Sequence, residues 1–189
     1  MISLSDFEET GALLTGHFRL SSGLHADRYL QCARLLMWPQ RAETAGRDLA
    51  RELAALAPEV VVAPALGGVI IGHETARALG TPAVFVERVD GRFALRRGFG
   101  FPAGARAVIV EDVLTTGKST REAAAAAEQA GARVIAAGAI VDRGVAPSAL
   151  GMPHHALLTL TFPAWPEAEC PLCARGVPIE TPGSRFGSR

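Results

Sequence analysis

Two adjacent carboxylates, Glu111 and Asp112, are followed after the apolar pair Val113-Leu114 by Thr115-Thr116-Gly117-Lys118-Ser119, and this is where the residue types and spacing of the chain could do chemistry. Hydroxyls, unpaired backbone N–H groups and the positive end of a helix together cradle a phosphate monoester, and a glycine lets the backbone approach it closely. The carboxylates then need something polar and uncharged, or a cation. A ribose 5-phosphate meets both demands, with its phosphate on Thr115 to Ser119 and its sugar hydroxyls on Glu111 and Asp112. The plainer alternative is a buried strand whose acidic end caps the next helix, but a cap needs one carboxylate rather than two.

The flanking sequence says what must hold these residues. Ala107-Val108-Ile109-Val110 reads as a strand ending at the acid pair, and ligands of open α/β sheets bind beyond the carboxyl ends of strands. Ser119 to Ala130 reads as a helix stopped by Gly131, and Val134 to Val141 as the next strand. A similar unit precedes it: strand Val60 to Pro64, Gly67-Gly68, a helix to Leu79 and strand Ala83 to Glu87. Apolar strands alternating with helices predict an α/β fold, a mostly parallel sheet covered by helices on both faces.

Outside this core the signals are weaker. Ser5 to Glu8 has capping-box spacing and opens a first helix expected to reach about Leu14. Phe18 to Leu20 and Arg28 to Gln31 are extended candidates around Ser21-Ser22-Gly23, and Pro39 opens a helix through about Leu56. Arg88 to Gly98, with Asp90-Gly91 and four arginines, is too polar for core and reads as a mobile loop or hairpin. The expected organisation is a small N-terminal lobe over residues 1–38, a core over 39–161, and an irregular proline-rich tail over 162–189.

Composition narrows the function classes. With 19 basic and 19 acidic side chains the formal charge is zero, so no broad positive field is available for nucleic acid, which is not expected as a partner. The apolar run from Val60 to Ile71 is too short to span a bilayer, so no membrane association is expected either. The acidic N-terminus does not read as an export signal. With three cysteines, Cys32, Cys170 and Cys173, this favours reduced thiols and a cytoplasmic setting. Cys170-x-x-Cys173 supplies half of a tetrahedral zinc site, and His154-His155 are the nearest other candidate ligands in sequence.

The segment from Ala107 to Ser119 resembles the phosphoribosyl pyrophosphate (PRPP) signature of the type I phosphoribosyltransferases. His17-Phe18-Arg19-Leu20-Ser21-Ser22-Gly23 with Tyr29 resembles the N-terminal hood of the orotate-specific branch, Ala63 to Gly68 the first phosphate-side loop, and Val141-Asp142-Arg143 the strand-end arginine. Cys170 to Cys173 and Pro182 to Arg185 resemble the tails of some bacterial members. The resemblance implies the type I fold with its small hood, and transfer of phosphoribosyl from PRPP to orotate, giving orotidine 5′-monophosphate and pyrophosphate in pyrimidine synthesis. It also implies Mg2+ carried mainly by PRPP and a homodimer with shared active sites.

The same resemblance implies residue roles. PRPP would be held by Arg88, Arg92, Arg96, Glu111, Asp112 and residues Val113 to Ser119 (Val113, Leu114, Thr115, Thr116, Gly117, Lys118 and Ser119). Catalysis falls to Glu111, Asp112 and Arg92, and orotate contacts to Tyr29, Thr115 and Arg143. Arg97 belongs to the same arginine loop, which stands where relatives carry lysines. Ser21 and Gly67 stand where many members carry basic residues. Two other readings remain open at this level: a sibling enzyme for a purine or xanthine base, and a non-catalytic PRPP sensor.

Overall fold

The computed structural model describes residues 1–20 and 22–182; Ser21 and the Gly183-Ser184-Arg185 stretch of the tail lie outside the described residues. Two compact units emerge, one of residues 1–3 and 36–160, the other of residues 4–35 and the tail from 161. The segments expected as lobe and tail thus fall together in the smaller unit. Among the described residues no helix is long and apolar enough to cross a membrane.

The smaller unit begins with α1 (Leu4–Glu9), β1 (Leu13–Arg19), β2 (His25–Leu30) and α2 (Cys32–Leu36), the last leading into the larger unit. The larger unit runs α3 (Pro39–Leu53), β3 (Val60–Pro64), α4 (Gly67–Leu79), β4 (Ala83–Val89), β5 (Arg92–Leu95), β6 (Arg106–Leu114), α5 (Lys118–Gln129), β7 (Arg133–Asp142), α6 (Pro147–Leu150) and β8 (His154–Thr159). The tail adds β9 (Ala164–Trp165) and α7 (Pro171–Ala174).

The large sheet has the order β5-β4-β3-β6-β7-β8, all parallel except β5, which returns antiparallel to β4. Val60, Val61 and Val62 are buried, as are Ala107 through Val110, which is what strands covered on both faces require. Side chains alternate across the sheet. Ala107 and Ile109 of β6 pack with Val60 and Val62 against the alanines of α5, Ala123, Ala124, Ala126 and Ala127. On the other face α4 lies against β3, with Gly72 seated on Ala63. Fully burying a side chain such as Ile109 is worth about 2 kcal/mol.

This order creates a switch point. From β3 the chain passes through α4 to β4 on one side, while β6 lies on the other side of β3, so the loops after β3 and β6 diverge and leave a crevice.

Several elements differ from the sequence reading. The first helix stops at Glu9 because Gly11 turns left-handed at φ 64°, and Leu13-Leu14 open β1 instead. Strand β6 continues through Glu111 and Asp112 to Leu114, paired with β7 along the way. Strand β8, unforeseen, closes the sheet beside β7. The tail is not wholly irregular: β9 pairs antiparallel with β2 at Trp165 and Ala164.

Candidate active site

Glu111 and Asp112 are successive residues of β6, so they leave the sheet on opposite faces. Glu111 follows Ile109 onto the α5 face, where it is buried and its Oε1 accepts a 3.0 Å hydrogen bond from the Thr120 hydroxyl. Burial, reinforced by the charge of Asp112, pushes its pKa up to about 8 against the opposing pull of Thr120 and Arg88. Asp112 emerges on the α4 face. A Cβ added to Gly67 would stand 2.9 Å from both of its carboxylate oxygens, so the acid occupies the space a side chain at 67 would need. Burial raises this carboxyl too, partly offset by the 2.9 Å hydrogen bond its Oδ1 accepts from the Val113 N–H.

The loop from Thr115 to Ser119 follows directly. Leu114 is buried in the core beneath α5, leaving only its backbone for a ligand, while Val113 is half-buried. Thr115, Thr116 and Lys118 are exposed and Ser119 is half-buried. Gly117 precedes α5 with φ 70°, and a Cβ there would lie 2.6 Å from Leu150 Cδ1, so both backbone conformation and space require glycine. The first helical bond is Arg121 N–H to Gly117 C=O at 3.0 Å, and no side chain caps the helix. The N–H groups of the first turn therefore lack intrahelical acceptors and face the loop with the positive end of the helix dipole. The Lys118 ammonium points outward, 3.9 Å from Glu122.

Arg143 sits just past β7, and its backbone N–H donates to the Leu114 carbonyl at 2.8 Å, tying it to the start of the phosphate loop. Its guanidinium is half-buried, and desolvation lowers its pKa from the usual arginine value. Asp142 shapes the turn that carries it, Oδ1 accepting from the Gly144 and Val145 N–H groups at 2.8 Å each. The other carboxylate oxygen lies 3.2 Å from His154 Nε2.

The arginine loop is a β-hairpin, β4 against β5, turning at Asp90-Gly91 with φ of 49° and 81°, the pattern of a type I′ turn. Its arginines divide into two pairs. Arg88 donates to the Gly91 carbonyl and to Glu122 of α5, both at 2.7 Å, and lies over the Phe93 ring. Arg97 pairs with Glu87 at 2.8 Å. Arg92 and Arg96 are exposed and, among the described residues, make no ion pair.

Tyr29 belongs to the smaller unit, half-buried on β2 with its ring 5.9 Å from that of Phe18. Sequence reasoning missed Thr120 and Glu122. Both lie on the first turns of α5, where a hydroxyl or acid projecting toward the preceding strand or hairpin was the available signal.

Residues 34–161 match the phosphoribosyl transferase domain family. Over 185 residues, 96% of each chain, this chain is 49% identical to an orotate phosphoribosyltransferase of Erythrobacter litoralis. It is 51% identical to one of Novosphingobium aromaticivorans, covering 96% of this chain and 95% of the other. Among solved structures, the orotate phosphoribosyltransferase of Aeropyrum pernix superposes with a TM-score of 0.69 at 29% identity, over 82% of this chain and 92% of that one. The Mycobacterium tuberculosis enzyme in complex with PRPP gives a TM-score of 0.62 at 25% identity, over 77% and 89%. A chain whose residues 34–161 match this family and which is similar to these proteins over nearly its full length belongs to the phosphoribosyltransferase family, in its orotate phosphoribosyltransferase branch.

Proposed function

We infer that the chain catalyses transfer of the 5-phosphoribosyl group from PRPP to orotate, releasing pyrophosphate and forming orotidine 5′-monophosphate. The observation that carries this reading is the switch-point crevice, where the Asp112 carboxylate beside Gly67 and the uncapped start of α5 stand at one strand end. The N–H groups and hydroxyls of Thr115 to Ser119 bind the 5-phosphate. Asp112 accepts from ribose hydroxyls, orients the ring, and favours the positive charge that grows at the anomeric carbon as the bond to pyrophosphate lengthens. Glu111, with its pKa pushed up to about 8, is largely protonated at neutral pH. Its second oxygen then holds a proton that it yields when positive charge arrives nearby.

Magnesium fits this donor set. A cation that keeps several waters and takes one or two carboxylates plus substrate phosphates needs only Asp112 from the protein, with PRPP supplying the rest. When bound, it would neutralise charge on the departing pyrophosphate. Arg92 and Arg96, the two hairpin arginines with no ion pair among the described residues, close over the pyrophosphate and exclude water. Arg143 offers a planar fork to the polar edge of orotate, beside Thr115, and Tyr29 covers the base. The expected assembly is a homodimer in the cytoplasm. Exposed Met37, Trp38, Leu66 and Ile70 in the larger unit supply the apolar surface that such an interface buries.

The test offers protein, magnesium and PRPP with orotate, and separately with adenine, hypoxanthine, xanthine and uracil. Orotidine 5′-monophosphate from orotate alone is expected. Product only from a purine would assign the sibling activity, and binding of PRPP without turnover of any base would assign the sensor.

A further inference from the structure

The smaller unit holds four side chains that the transfer reaction does not use. His17 on β1, His25 on β2, and Cys170 and Cys173 at the start and on the body of α7 turn one ligand atom each toward a common centre, all within 4.8 Å of one another. His17, His25 and Cys170 are buried and Cys173 is partly so. His17 Nε2 lies 3.0 Å from His25 Nδ1, and His25 Nδ1 lies 3.2 Å from Cys173 Sγ. Cys170 Sγ and Cys173 Sγ lie 3.5 and 3.7 Å from His17 Nε2. Ligands at ordinary zinc bond lengths on a tetrahedron are separated by about 3.3 Å for two nitrogens and about 3.6 Å for nitrogen and sulfur. These four edges, from 3.0 to 3.7 Å, lie within about 0.4 Å of those figures.

We propose that these four residues form a structural Zn2+ site of the Cys2His2 class that joins the β1-β2 hairpin to the tail. Two independent features support it. The His17 Nδ1 lies 2.8 Å from the Val177 carbonyl, a contact that needs the proton on Nδ1 and leaves Nε2 as the lone pair facing the centre. The local fold of the tail then sets the sulfurs: Pro171 starts α7 immediately after Cys170, and Cys173 follows one turn later, so both reach the same side.

Two sulfurs and two nitrogens in a tetrahedron select zinc over hard cations. All four positions are protein ligands, leaving none open for water, so the site is structural rather than catalytic. The unit also needs such a tie, because it is small and its sheet has only three short strands. His154-His155, the partners expected from sequence proximity, are not in the cluster; His154 is engaged with Asp142 in the larger unit.

The experiment is metal analysis of untagged protein purified without added metal, covering zinc, iron, copper and nickel. The expected result is about one zinc per chain, released stoichiometrically when a mercurial titrates the thiols. Replacement by Co2+ should give the intense visible bands of tetrahedral thiolate coordination. Cys170→Ser with Cys173→Ser should reduce zinc to background, while His154→Ala with His155→Ala should retain it. Chelation should lower the Tm by roughly 5–10 °C, restored by zinc. Metal-free parent protein that also takes up no Co2+ would overturn the proposal, and so would a double cysteine variant that keeps its zinc. If that variant does not fold, mercurial release and the Co2+ spectrum of the parent decide the matter alone.

Discussion

The strand end of β6 and the histidine–cysteine cluster solve the same problem, holding polar groups out of bulk water, by opposite routes. At β6 the polar groups come from one continuous segment and are held by what lies beneath them: Ile109 and Leu114 buried in the core, and the alanine face of α5 packed on the sheet. In the smaller unit the groups come from sequence positions about 150 apart, with only a three-stranded sheet behind them. The first arrangement keeps its shape without a ligand, because the scaffold is already stable. The second brings four lone pairs together at a cost that a bound cation offsets. Damage should therefore read out differently, as lost chemistry with intact folding at the strand end and as lost stability at the cluster.

The largest effect expected is for Asp112→Asn, which removes the carboxylate at the crevice while keeping its shape. Turnover should fall by about 10²–10³, with circular dichroism and Tm nearly unchanged. A variant as active as the parent would break the contrast. Next is Arg92→Ala against Arg97→Ala. The former removes an unengaged hairpin cation and should reduce kcat/KM by roughly 10²; the latter removes one already spent on Glu87 and should cost less than about tenfold. Equal losses would mean that the division between engaged and unengaged arginines is not what matters.

Gly67→Ala tests the close approach of Asp112. The methyl group competes for the carboxylate's space, so kcat/KM should fall by about tenfold as Asp112 is pushed aside. A different readout, stability rather than turnover, concerns Glu111. Its folded pKa of about 8 stands above the ordinary carboxyl value of 4.5, so the folded state holds its proton more tightly than the unfolded one. Stability is fully present below about pH 4.5 and declines as pH rises toward 8, by on the order of 4 kcal/mol in total. Denaturant unfolding at several pH values should show this slope, and Glu111→Gln should flatten it. A slope identical to the parent's would remove Glu111 from the titration.

What could be read from the sequence follows the same division. Strand β3 and helix α4 begin and end where expected, because an apolar run closed by Pro64 and a helix ended by Gly80 leave little choice. The local structure from Ala107 to Ser119 was legible for a related reason: strand, acids, hydroxyls and glycine lie in one stretch, so local rules alone place the strand end, the turn and the start of α5. Strand β8 was not, since His154-His155 and half-buried neighbours give an edge strand no strong period. The opposite outlooks of Glu111 and Asp112 became visible only once β6 was known to run past Val110. Neither His17 nor His25 could be joined to Cys170 and Cys173 by spacing, because the hairpin and the tail meet only in the folded unit. The base contacts of Arg143 and Tyr29 rest on the resemblance, and orotate-dependent turnover is their test.

The hairpin carries one more consequence. Arg88, bound to the Gly91 carbonyl, to Glu122 and to the Phe93 face, anchors the turn end of β4-β5 to α5, and the type I′ turn fixes its tip. Engagement of Arg92 therefore asks the chain to order a side chain rather than a whole loop, sparing most of the backbone entropy a flexible lid would lose. The lifetime of the closed state should then depend on how firmly the turn end is held. Loosening Glu122 would quicken release of pyrophosphate even though that acid lies outside the reacting centre.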